Sequence, residues 1–221
     1  MSNEVTTVQE RIAQQLAKQQ EAATGMRSTG AFISFKNGNM KVDGIPVPEN
    51  KALVRVLVAI PERTYYEGDY DANETQVPNC YSLNSDEPHP EAADIQATHC
   101  SDCPNNKWGT GKRGRGKACR EGARLIVVPA AVPLKTAPMY TAKVPVTSLA
   151  NVLSFTSRCA QAQKMSGEFI TELSSVEDAK TFFKVHLTLK ELSADINMVD
   201  LLDKTDKAME IAMQPYPNLD N

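Results

Sequence analysis

Four of the five cysteines fall in one stretch of the chain, spaced Cys80-x19-Cys100-x2-Cys103-x15-Cys119. A Cys-x2-Cys pair aims two thiolates at one ion from a tight knuckle, and two further cysteines at loop distance complete a tetrahedron. The segment 71–122 that carries them has only Val77, Tyr81, Leu83, Ile95 and Trp108 as large apolar side chains. So few cannot offset the entropy of ordering the chain. A bound ion would supply the missing folding free energy. The expectation is a structural zinc ion on Cys80, Cys100, Cys103 and Cys119. The same thiolates also suit an iron–sulfur cluster, and free thiols are the third reading. His99 or His89 can stand in for one cysteine, or each is a surface histidine. Cys159 falls on the apolar side of a helical pattern and is expected as a buried core thiol.

The cysteine segment runs into a basic block. Lys107, Lys112, Arg113, Arg115, Lys117, Arg120 and Arg124 face the single acid Glu121, a local charge of +6 that leaves -9 for the rest of the chain. Such a reversal of sign marks a surface for a polyanion. Glycines at 109, 111, 114, 116 and 122 let the backbone come close to a ligand. The block is no phosphate-cradling P-loop, because no G-x4-G-K-[ST] precedes a helix. Trp108, the only tryptophan, is either a stacking platform for a base or a lid over the cysteine knuckle. Phe182 shares a strand face with Lys184, His186 and Lys190. That face is a second candidate contact, an ordinary solvent face, or one covered by a terminal helix. Tyr65, Tyr66 and Tyr70 are equally ambiguous beside Glu62, Glu67 and Asp69.

The elements that must position these groups are mainly strands. Val5, Val8, Ile12 and Leu16 predict an amphipathic helix over 5–23. AFISF, NGN and MKVDG predict a hairpin turning at Asn37-Gly38. LVRVLVAI (53–60) predicts a central strand. Residues 124–128 and 140–146 predict two more. Thr147-Ser148 should cap a helix that Gly167 stops. Residues 168–173 and 181–190 predict a second hairpin, with Phe183, Val185, Leu187 and Leu189 on its inner face. A last helix is expected within 195–213. Strands at hairpin distances, without strand–helix alternation, predict a mainly β protein with helices (α+β): an OB-type Greek-key barrel with a zinc-binding insert. The expected division is an N-terminal helical arm (1–29), an OB-like core (30–192) holding the basic insert (71–122), and a C-terminal helix and tail (193–221).

Ordinary hydrophobic (41%) and charged (23%) fractions exclude collagen-like and fully disordered classes. No apolar run approaches the roughly 20 residues that span a bilayer. MSNEVTTVQERIAQQ has no apolar signal region, so a cytoplasmic protein without a membrane partner is expected.

Pro78-Asn79-Cys80-Tyr81-Ser82, the C-x2-C-P-x-N of Cys100 to Asn106, and the GKRGRGKAC of Gly111 to Cys119 resemble a group of tailed-phage proteins. Their arrangement is similar to phage single-stranded-DNA-binding proteins, in which a zinc-bearing insert decorates an OB-type barrel. The resemblance covers roughly 30–190 and implies replication or recombination work on single strands in an infected bacterium, with phage or host replication proteins as further partners. The leading expectation is therefore a non-enzymatic single-strand binder using Lys107, Trp108, Lys112, Arg113, Arg115, Lys117, Arg120, Arg124, Phe182 and Lys184. The alternatives are a zinc-organised protein-interaction factor and an iron–sulfur or metal-dependent nuclease. No Ser/His/Asp order in the chain supports hydrolytic catalysis.

Overall fold

The computed structural model describes residues 31–68, 76–194 and 196–216. The helix expected over 5–23 lies outside them. The strands are β1 (Phe32–Ser34), β2 (Lys41–Val42), β3 (Ile45–Pro46), β4 (Lys51–Tyr65), β5 (Cys80–Ser82), β6 (Arg120–Pro129), β7 (Tyr140–Pro145), β8 (Phe169–Asp178) and β9 (Phe182–Leu192). Two α-helices, α1 (Leu149–Gln161) and α2 (Met198–Ala212), and six short 3-10 turns complete the described elements. All strands join one sheet in the order β3-β2-β1-β7-β6-β4-β8-β9, with β5 paired to the far end of β4. Every pairing is antiparallel except β1 with β7. The protein is thus mixed α+β, built on a curled sheet.

The curl is visible in the core. Ile33, Phe35 and Met40 from one end of the strand order share a buried cluster with Leu173, Val185 and Leu187 from the other. The turn after β1 reaches β9 so closely that a Cβ on Gly38 would lie 3.3 Å from the Phe183 Cβ. Gly38 also has φ +77, so only glycine fits both demands. Helix α1 fills the concave side with Val152, Phe155 and Cys159. Each such apolar side chain contributes about 1.5–3 kcal/mol by leaving water. The convex side is covered by Leu201, Ala208 and Ala212 of α2, packed on Leu57, Val58, Ile126 and Val128.

A register shift between Val56 and Val58 explains the unbroken apolar run in β4. Val54 and Val56 face the α1 side, whereas Leu57 and Val58 both belong to the α2 side. A bulge of this kind turns an alternating pattern into a continuous one.

Two expected helix signals act differently. Ser148 stands at the N-cap of α1 without a capping bond. Its Oγ instead accepts the Val185 N–H at 2.8 Å, tying the helix start to β9. Helix α1 ends at Gln161, and Gln163 takes the left-handed turn with φ 54. Gly167 is not the stop signal. It is the close-approach point under α2, where a Cβ would meet Leu201 Cδ1 at 2.6 Å. Asn197 caps α2 through Oδ1, which accepts from the N–H groups of Val199 and Asp200. No helix among the described residues is long and apolar enough to cross a membrane.

Candidate functional site

The cysteine segment hangs from the far ends of β4 and β6. Strand β5 pairs with β4 through Arg63↔Ser82, Thr64↔Tyr81 and Tyr65↔Cys80. Cys80, Cys100, Cys103 and Cys119 line one small cavity of about 20 Å³, the room of roughly one water. All four are free. Among the described residues, however, no group of three or more His, Cys, Asp or Glu side chains can hold a metal ion. This corrects the expected zinc site, and the iron–sulfur alternative with it. Sharing a cavity wall is a weaker relation than placing four sulfurs about 2.3 Å from one point. Burial pushes the Cys80, Cys100 and Cys119 thiols up, Cys119 to about 11, against the opposing pull of Arg63 on Cys100 and Cys119. These are neutral thiols packed as small apolar groups.

The segment is instead ordered by contacts that its composition hides. Tyr81, Leu83, Cys100, Cys103 and Cys119 are buried. The Tyr81 ring stacks on His89 at 4.9 Å, edge-on to Tyr216 at 4.8 Å. Arg63 of β4 reaches three ways into the segment. Its Nε donates to the Ser85 carbonyl (3.2 Å), and its Nη1 donates to Asn106 Oδ1 (2.8 Å) and Glu121 Oε1 (2.9 Å). Asn106 then donates to the Cys100 carbonyl at 2.7 Å. His89 is engaged with Tyr81, and His99 lies half-exposed 3.8 Å from Glu87.

The basic loop is a closed, ordered turn. Gly109 N–H and Gly111 N–H both donate to the Gly116 carbonyl, at 2.7 and 3.2 Å. Thr110 Oγ1 accepts the Ala118 N–H at 3.0 Å and donates to the Lys107 carbonyl at 2.7 Å. Its base is anchored where Cys119 N–H donates to the Asn105 carbonyl. Two clefts flank it. One, about 700 Å³, is lined by Lys112, Arg115, Lys117 and Arg120 together with Tyr65 and Tyr66, with no acid among its described lining residues. The other, about 630 Å³, is lined by Trp108, Phe35, Phe183, Val144 and Pro145, with Lys36, Lys117, Arg120 and Lys143 beside the acids Glu62 and Glu121. Lys117 and Arg120 belong to both. Glu121 is held below the usual carboxylate range, chiefly by its hydrogen bond from Lys117 at 2.7 Å.

The expected contact residues divide sharply. Trp108 is 82% exposed on the second cleft and is no lid over the cysteines. Lys107 is exposed at the start of the loop. The Arg113 side chain lies outside the described residues. Arg124 is removed from the surface set: it is buried against Glu62, and its Nη1 donates to the carbonyls of Ala212 and Gln214, both at 2.9 Å. Phe182 is 88% exposed, so no helix among the described residues covers it, but it lines neither cleft. Lys184 is paired with Asp178 at 3.1 Å and Lys190 with Glu172 at 3.0 Å. The apparent positive face of β9 is thus neutralised by acids of β8, which reading one strand alone does not reveal. Conversely, the clefts add Lys36, Lys143, Phe35 and Phe183, none expected as a contact from the sequence, where Phe183 reads as core. Lys143 is placed there by the β6–β7 register, which sets it opposite Arg124.

No family model, no curated protein and no solved structure matches the chain.

Proposed function

We propose that this protein binds single-stranded DNA without catalysing a reaction. The observation that carries the reading is the cationic cleft of Lys112, Arg115, Lys117 and Arg120 beside Tyr65 and Tyr66. Lys and Arg release the counterions of phosphates, and aromatic rings on a cleft wall accept bases of any sequence. The ordered loop supports the same reading, because a cleft already in shape loses little entropy when a strand enters. The curled sheet serves as the framework we take to be an OB-type barrel. The likeness of the motifs around Cys80, Cys100 and Gly111 to tailed-phage proteins supports work in phage replication or recombination, in the cytoplasm of the host bacterium.

Fluorescence anisotropy with a labelled oligo-dT tests it. Binding at 50 mM salt that weakens steeply by 300 mM is expected, because several phosphates are neutralised together. Absence of binding at 50 mM, or affinity indifferent to salt, defeats the reading.

A further inference from the structure

Building on the single-strand reading, we propose that the cleft beside Trp108 is a slot for one unstacked nucleobase. In this arrangement Arg120 holds the adjoining phosphate, and the strand continues into the neighbouring cationic cleft. A track for phosphates alone has no use for an apolar lining. This cleft has Phe183, Pro145 and the exposed Val146 on its walls, with Trp108 open to it. Its volume of about 630 Å³ falls in the range of small-molecule sites, roughly 300–1,000 Å³, that are mainly apolar with a few polar groups at set places. Lys117 and Arg120 line both clefts, so the slot and the track adjoin at these two side chains. A planar, apolar-faced group carried on a polyanion meets both halves of this chemistry. A nucleobase on its own strand is such a group.

The slot also gives a physical origin for strand preference. Cationic side chains contact phosphates in duplex and single strand alike. Only an unpaired strand offers a base to the Trp108 ring without the cost of unpairing, a few kcal/mol. Trp108 therefore acts in selection, whereas Lys112 and Arg115 act in attraction.

The test compares labelled oligo-dT, an abasic oligonucleotide of equal length, and a duplex of that length. The wild-type protein should bind oligo-dT at least about tenfold more tightly than the abasic strand, in line with the worth of one stacked base. Trp108→Ala should shrink that difference by about the worth of one stacked base, weakening oligo-dT alone with an unchanged salt dependence, and Trp108→Phe should restore much of it. Lys112→Ala with Arg115→Ala should weaken both strands together. Equal wild-type affinity for oligo-dT and the abasic strand overturns the slot and leaves single-strand binding intact. No binding to any of the three overturns the functional reading itself. Trp108 is so exposed that its replacement does not threaten the fold.

Discussion

Arg124 and Glu62, on adjacent strands β6 and β4, form an ion pair sealed inside the protein. Arg124 Nη2 lies 2.5 Å and Nε 2.9 Å from Glu62 Oε1, and each side chain is about one-twentieth exposed. The same oxygen accepts the Tyr216 hydroxyl at 2.9 Å. Arg124 thereby links the sheet to the end of α2 through the Ala212 and Gln214 carbonyls. Breaking such a pair from one side strands a buried charge and costs about 3–5 kcal/mol, whereas replacing both partners by apolar residues is far cheaper. Arg124→Ala should lower stability by that amount in chemical denaturation. The double variant Glu62→Leu/Arg124→Met should lose clearly less than the sum of its single changes. Oligonucleotide affinity per folded molecule should stay the same in Arg124→Ala. A folded Arg124→Ala protein with intact stability and lost binding would return this residue to the contact surface.

Arg63 is the strut of the cysteine segment. Its three acceptors come from residues 85, 106 and 121, so a single guanidinium joins the segment's beginning, middle and end to β4. Hydrogen bonds from a charged group contribute about 1.5–3 kcal/mol each when well buried. Arg63 is partly exposed, and screening reduces its share. Arg63→Ala should speed amide hydrogen exchange across 79–107 while β4, β6 and β8 keep their protection. Uniform acceleration over the whole sheet would mean that the segment does not open as a unit.

The strands and the closing helix were legible because their side-chain alternation is set by a core on one face or both. The hairpin at Asn37-Gly38, the long central strand, and the inward set Phe183, Val185 and Leu187 all follow from it. What the sequence could not reveal depends on partners distant along the chain. The four cysteines were legible as a cluster but not as its chemistry, since spacing brings thiols together without fixing whether they ligate or pack. The apolar-poor segment draws its order from Arg63, Tyr216 and β4, outside its own boundaries. Arg124 reads as one more cation in a basic run, and only the Ile60↔Arg124 register, two residues from Glu62, turns it inward. The second cleft joins Phe35, Trp108, Lys143 and Phe183 across more than half of the chain, beyond the reach of any local pattern.

Charge removal in the cationic cleft should be readable in the salt dependence. Each phosphate contact contributes about 0.7 to the slope of log affinity against log salt for a single strand. Arg115→Ala and Arg120→Ala should each flatten the slope by about that amount, with weakening similar for all sequences. Lys184→Ala should leave the slope unchanged, because Asp178 already balances that charge. A loss of slope in Lys184→Ala equal to that in Arg115→Ala would move the track to the outer face of β9.

Lys143 should make oligonucleotide binding sensitive to pH. Its amine donates to the Tyr216 hydroxyl beside the Glu62 carboxylate and also lines the apolar cleft. Burial lowers its pKa to about 8, with Glu62 opposing the shift. The amine is therefore charged below pH 8 and neutral above it. Affinity for oligo-dT should fall as pH rises from 7 to 9, as the cleft loses one positive charge. Stability moves the other way: between about pH 8 and the unfolded value near 10.4, the unfolded chain binds more protons, so folding becomes more favourable as pH increases. Lys143→Met removes the titrating group and should flatten the affinity profile across pH 7 to 9. Its stability should exceed that of the wild type most at neutral pH, with the gap closing toward pH 10. Identical profiles for wild type and Lys143→Met would show that this amine neither contacts the strand nor titrates in the cleft.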